Sequence, residues 1–347
     1  MVTSMSYTAP THTTPALRLV GGRWLLAKLD WSEWLGVTMT ALVGAGLFAL
    51  FHFLGNTVYE AGGRSALLWM VARWKDPISF GGADYSHGFL IPLVSLWALW
   101  TKRLDLMSAP KRLTPAALWL IAVGLLMHWV GAKLQQTRLS LMALILLLWA
   151  IPYYFYGWAF ARHLLFPVAY LIFCIPMNFL DVIAFPLRLF ATAWSVRILR
   201  AVGVDVIQTG TAIRAMTPFG TERWGVDVAN PCSGLRSLLA LTALAAVYAY
   251  ATQRRWWKQW FLFAMSIPLA LAGNIARIVT IGLIAEAFGE RVAVGLIHEY
   301  SGYVVFFVAI VLMVGLGALL NVDLRAGWDS LRSRGWRPAS PNPLMAS

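Results

Sequence analysis

The chain has 347 residues, 59% of them hydrophobic and only 12% charged, about half the charge usual in soluble domains. So few charges cannot cover the apolar surface of a soluble globule of this size, which excludes an ordinary soluble enzyme, a disordered tail protein and a collagen-like chain. Two cysteines, Cys174 and Cys232, exclude a disulfide scaffold, and a net charge of +13 fits basic loops on one side of a membrane rather than a nucleic-acid partner.

Residues 1–33 form a polar N-terminal segment, threonine-rich and without the small-residue cleavage site of a signal peptide. Apolar runs near the roughly 20 residues that a bilayer crossing needs then fall at 34–54, 86–101, 115–132, 139–157, 163–180, 233–251, 261–286 and 302–321. A further apolar stretch, 182–201, carries Arg188, Arg197 and Arg200 on different helical faces and is expected to be interfacial or re-entrant. Residues 204–229 alternate around Val204, Val206, Ile213, Val226 and Val228, with a turn at Pro218-Phe219-Gly220, and predict a short β-hairpin. A basic tail, 322–347, follows the last span. The expected fold is an all-α polytopic membrane domain over 34–321, with about eight transmembrane helices and a short external hairpin before the sixth. The 18 Trp and 11 Tyr supply its interface belts.

Orientation follows from Lys and Arg. With the N-terminus inside, the cytoplasmic pieces hold 15 of the 28 basic residues, and the two sharpest basic loops, 102–112 and 254–258, both fall inside. Both termini are then cytoplasmic.

Three polar features stand out. Asn230-Pro231-Cys232-Ser233-Gly234-Leu235-Arg236 opens the sixth span, with Pro231 suited to a first helical turn. Cys232 is then at a helix N-terminus, which favours a thiolate, and Arg236 adds positive charge one turn deeper. The alternative is a small interfacial cysteine without reactivity. Asn274 and Arg277 share a face of the seventh span, whose run from Phe261 to Ala285 holds no other charge. An arginine at that depth reads as functional, or as an arginine snorkelling to the headgroups. His298 lies before the eighth span. Cys232, Arg277 and His298 all reach the same outer level, and a thiol, a proton carrier and a cationic donor are the parts of thiol acyl transfer.

The other polar residues carry less. Tyr85, Ser86 and His87 stand at the outer mouth of the second span, either lining a substrate groove or belonging to the interface belt. Cys174 is expected to be a packing residue. Ser233 has no strong base nearby to activate it as a nucleophile. His52, His128 and His163 have no metal-ligand spacing, so neither a metal nor a cofactor is expected.

Three stretches resemble the exosortase/archaeosortase family of membrane cysteine transpeptidases: DYSHGFLIPLVSLWALW (84–100), NPCSGLRSLLAL (230–241), and IPLALAGNIARI (267–278) followed by HEYSGYVVFF (298–307). The resemblance implies Cys232 as nucleophile with Arg277 and His298 as catalytic partners, and the histidine resembles the bacterial rather than the archaeal branch. Asn274, Arg236, Ser233, Tyr85 and His87 are the supporting or substrate-facing candidates. It further implies substrates that are exported, membrane-anchored proteins with a C-terminal sorting tail: a short Pro-Glu-Pro-like motif, a hydrophobic helix and a basic cluster. Cleavage would occur on the periplasmic side of the inner membrane, with transfer to an acceptor such as water, a lipid amine or a glycan, in systems that accompany exopolysaccharide production. The chain departs from many members in having Asn230-Pro231 before the cysteine, and is expected to lack the extra periplasmic domain that some members carry.

Two other classes are compatible with the same residues. One is a membrane acyltransferase acting on exported polysaccharide through His298 and Asn274; the other is a transporter that binds an anion at Arg277.

Overall fold

The computed structural model describes residues 31–56, 63–75, 85–177, 179–227 and 235–322. In chain order the first half comprises α1 (Trp31–Phe53), α2 (Ala66–Lys75), a 3-10 turn (Ser86–Phe89), α3 (Leu90–Thr101), α4 (Arg103–Ser108), α5 (Ala117–Lys133), α6 (Thr137–Tyr156) and α7 (Trp158–Tyr170). The second half comprises α8 (Phe179–Ala201), strands β1 (Val206–Thr209), β2 (Ala212–Met216) and β3 (Glu222–Asp227), α9 (Leu235–Thr252), α10 (Trp256–Phe288), α11 (Glu290–Val294) and α12 (Leu296–Asn321).

Among the described residues, three helical segments are long and apolar enough to cross a membrane: Thr137–Tyr156, Trp256–Phe288 and Ser301–Asn321. The other five expected spans fall on apolar helices of 10–17 residues, Thr38–Phe53, Ser86–Thr101, Ala117–Lys133, Trp158–Cys174 and Leu238–Thr252. The sequence thus locates eight apolar helices, three of which meet the length and hydropathy of a crossing among the described residues. The stretch 182–201 belongs to one unbroken helix, α8, which packs on α10 and on the sheet.

Small residues set the helix spacing. In the α5–α6 hairpin, a Cβ on Gly131 would lie 2.7 Å from the Ser140 backbone nitrogen, and one on Gly124 would lie 2.8 Å from the Leu147 side chain. Gly131→Leu therefore has to push backbone apart. It is expected to cost about 1–3 kcal/mol or more, seen as a lower thermal midpoint in detergent and poor membrane accumulation. Wild-type melting would contradict this packing. Between α6 and α7 a single residue, Gly157, reverses the chain at φ +78°, a left-handed conformation that costs glycine nothing.

The expected hairpin is a three-stranded antiparallel meander, β1-β2-β3. The β2–β3 turn forms where predicted, at Pro218-Phe219-Gly220. The correction is β1, which pairs with β2 from Val206↔Ala215 to Thr209↔Ala212 across the two-residue loop Gly210-Thr211. Gly210 takes φ +62° at the first loop position, which both hairpin turn types suited to a two-residue loop require.

The core is divided by helix α9. One side packs Leu239 and Ala243 into a cluster with Trp69, Trp74, Tyr85 and Tyr170 of the first half. The other packs Leu241, Ala245 and Ala249 against Leu262, Ala270 and Met313 of α10 and α12. Helix α10 has 33 residues and is about 50 Å long at 1.5 Å per residue, well beyond a hydrocarbon layer of about 30 Å. Its excess length emerges at one end of the bundle, where Ile278, Ile281 and Ala285 join Leu199 of α8 and Val206, Ile213 and Trp224 of the sheet in a third cluster.

Candidate active site

Helix α10 buries a stripe at four-residue spacing, Ser266, Ala270, Asn274 and Ile278, so Asn274 faces the bundle and is 8% exposed. Arg277 is three residues further on. Its Nε donates to Ser301 Oγ of α12 at 3.2 Å. Its guanidinium lies over Gly302, whose added Cβ would stand 3.5 Å from Cζ and 3.6 Å from both Nη atoms. One turn back, Gly273 faces Val305 so closely that a Cβ would lie 2.8 Å from the valine methyl. The pairings 273 with 305 and 277 with 301–302 fix α10 and α12 as antiparallel neighbours. They place position 298, in the first turn of α12 and three residues before Ser301, one turn from the arginine contact.

Helix α9 reaches the same level. Only residues 253–255 join α9 to α10, so residues equidistant from that turn lie side by side, and Leu235 at the start of α9 falls opposite Gly273, next to Asn274. The opposite end of this three-helix unit is stapled: Gln253 Nε2 donates to Gly317 O at 3.3 Å, Lys258 Nζ donates to Leu320 O, and Tyr248 OH donates to Val314 O at 3.3 Å. Cys232 and Ser233 lie outside the described residues, as do the side chains of Arg236 and His298. The backbone nonetheless brings the start of α9, Asn274 with Arg277, and the start of α12 to one end of the bundle.

The other expected site residues sit in the first half. Tyr85 is 4% exposed, and its hydroxyl both accepts from the Met177 N–H at 2.9 Å and donates to the Met177 carbonyl at 3.3 Å. It is a buried clamp on the chain entering α8, not an interface residue. His87 stacks on it, with ring centroids 5.7 Å apart. Tyr85→Phe leaves the Met177 N–H without its phenol oxygen, an expected cost of about 1–3 kcal/mol; thermal unfolding of the purified variant checks it, and an unchanged midpoint would argue against the clamp. Cys174 is buried and unpaired, its Sγ against the Leu171 carbonyl at 2.9 Å, consistent with packing.

Sequence reasoning missed Ser301, Gly302 and Glu286. Ser301-Gly302 was legible only as two small residues in a helix. Glu286 closes the apolar run of α10 and reads as a solvated helix end. In the structure its carboxylate accepts from Arg223 at 2.5 Å and from the indole N–H of Trp224 at 2.9 Å.

The family model for transmembrane exosortases matches residues 74–315. No curated protein and no solved structure matches the chain. A match that runs from the end of α2 to within α12, taking in both halves of the bundle and the sheet between them, means that the chain belongs to the transmembrane exosortase family.

Proposed function

We propose that this protein is a membrane cysteine transpeptidase that processes the C-terminal sorting tails of exported proteins through an acyl-enzyme on Cys232. The observation that supports the reading is that the start of α9, three residues after Cys232 in the chain, Arg277 held by Ser301, and the first turn of α12, which carries position 298, lie at one end of the bundle. The Cys232 thiolate attacks the scissile carbonyl. The C–N bond breaks, a thioester forms, and the leaving amine takes a proton from His298. Arg277 stabilises the oxyanion. The acceptor's nucleophile then attacks the thioester, loses its proton to His298 and releases Cys232 as thiolate.

The substrate is a protein ending in a Pro-Glu-Pro-like motif, a hydrophobic helix and a basic cluster, in a cell-surface or exopolysaccharide assembly system. The bilayer presents its hydrophobic helix to the bundle. The deciding experiment uses a secreted reporter carrying such a tail. Co-expression should shorten it, and Cys232→Ala should leave it full length in the membrane. A reporter that stays uncleaved with the wild-type enzyme, whatever its motif, would overturn this reading.

The reading places the site on the periplasmic side of the inner membrane, with eight crossings and both termini inside. The contacts support this orientation. His163 lies 3.9 Å from Asp105, while α7 runs antiparallel to α9 through Phe166 on Tyr250 and Tyr170 on Ala243. Both sharp basic loops therefore share the end of the bundle opposite the sheet. Exposed Trp100, Trp256 and Trp260 cluster at that same end, as an interface belt would. Cysteines introduced at positions 105 and 256 should be shielded from a membrane-impermeant thiol reagent in intact spheroplasts, and one at 220 should react. Labelling at 256 from outside would invert the topology.

A further inference from the structure

We propose that Glu286 is a positioning residue for the nucleophile: its carboxylate locks β3, the strand that leads into the Cys232 loop, onto the same helix that carries Arg277. This rests on the reading of Cys232 as nucleophile. Residues 228–234 run from the end of β3 to the start of α9, so the placement of β3 fixes one end of the segment and α9 fixes the other. Glu286 lies nine residues beyond Arg277 on α10, about 13 Å along the axis at 1.5 Å per residue.

Three contacts converge on this latch. Arg223 Nη1 donates to Glu286 Oε1 at 2.5 Å, the Trp224 indole N–H donates to Glu286 Oε2 at 2.9 Å, and the Gly225 backbone N–H donates to Glu290 Oε2 at 3.2 Å. Adjacent strand residues normally point to opposite faces, so one carboxylate should not reach both Arg223 and Trp224. The register explains it: Ala215 pairs with Trp224 while Met216 pairs with Glu222, leaving Arg223 as an extra, bulged residue. A bulge re-aims side chains and sharpens the local twist. Trp224 is 3% exposed and packs against α10 and α8 beside Gly282, where an added Cβ would stand 3.5 Å from the indole and 2.8 Å from Leu199. An indole N–H buried there needs an acceptor, and Glu286 supplies it. The strand that leads towards Cys232 and the helix that carries Arg277 thus share one frame.

The test uses the full-length enzyme in detergent, in a Cys174→Ala background so that only Cys232 can be alkylated, with the purified tail reporter as substrate. Glu286→Ala is expected to lower kcat per folded molecule by about 10- to 100-fold with KM changed little, the scale of an angstrom-level misplacement. The pH midpoint of iodoacetamide alkylation of Cys232 should move up towards the free-thiol value of about 8.5. Glu286→Gln keeps an acceptor for Trp224 and should recover most of kcat. A merely structural role would lower stability but leave kcat per folded molecule and the alkylation midpoint unchanged, and that result overturns the proposal. Should Glu286→Ala fail to accumulate, Trp224→Phe removes the indole donor and keeps the packing; wild-type kcat and midpoint in that variant overturn it equally. Processing that survives Cys232→Ala would instead remove the nucleophile reading itself, a separate outcome from an inert Glu286.

Discussion

Cys232→Ala should abolish processing of the tail reporter, by at least about 1000-fold, because removing the nucleophile of a covalent mechanism leaves only the binding and oxyanion contributions. Cys232→Ser should be nearly as inactive. A thiol needs little help to ionise at a helix N-terminus, and the segment holding Cys232 leads straight into α9. A hydroxyl ionises far less readily and needs an adjacent base, and the neighbouring residues Asn230, Pro231, Ser233 and Gly234 offer none. In the proposed mechanism, positive charge from Arg236 and Arg277 favours a thiolate and does nothing for a neutral serine. The same reasoning gives His298 the later task of protonating the leaving amine. His298→Ala should then stop turnover while Cys232 still alkylates at neutral pH. If alkylation in that variant disappears at neutral pH, His298 is the activating base and the division of roles is wrong. Activity in Cys232→Ala would reopen the acyltransferase reading, which needs no thiol.

Arg277→Lys should lower processing by about 10- to 1000-fold, or roughly 1.4–4 kcal/mol of transition-state stabilisation. The formal charge survives this change, so the expected loss comes from geometry. Arg277 spends Nε on Ser301 Oγ and lays its planar guanidinium along Gly302, which fixes the direction of the fork. A lysine ammonium has no second arm with which to anchor itself while it donates. It also needs more water than a guanidinium, at a level of α10 where Asn274 and Ile278 are buried. The measurement is reporter cleavage at matched membrane levels of the two enzymes. Near-normal cleavage by the lysine variant would mean that charge alone matters there, or that Arg277 only anchors α10 to α12.

Several parts of the fold were legible from the sequence because each depends on local pattern. Each expected span overlaps an apolar helix, since an apolar run in a membrane chain has few ways to satisfy its backbone except as a helix; the fifth, expected at 163–180, runs instead over 158–174, and the chain leaves the helix at Ile175. The turn at Pro218-Phe219-Gly220 was legible because its turn residues stand between alternating segments. Val206 of β1 belonged to the alternating stretch, but β1 as a separate third strand was not legible, because Val206–Thr209 is only four residues long with one buried side chain, Val206, too short to stand out by itself. The length of α10 was also hidden: hydropathy marks where an apolar run ends, but a helix continues as long as its caps and contacts allow, here to Gly289 at φ +85°.

What the sequence determined by itself was the membrane class, the order of the apolar helices and the identity of the polar residues that do not belong among them, Asn274 and Arg277 above all. Composition and period act within one segment, and an arginine inside an apolar run is conspicuous wherever it sits. What only the tertiary structure decided was which residues serve the conspicuous ones. Ser301 matters because α10 and α12 run antiparallel at close range, a spacing set by Gly273 against Val305. Tyr85 became a clamp on Met177, 92 residues away, and Glu286 became the partner of a bulged strand 62 and 63 residues earlier. Such pairings join groups whose sequence neighbours give no sign of them. Contact at that separation is produced by the packing of whole elements, and a hydrogen bond or ion pair leaves no periodic trace in either strand or helix.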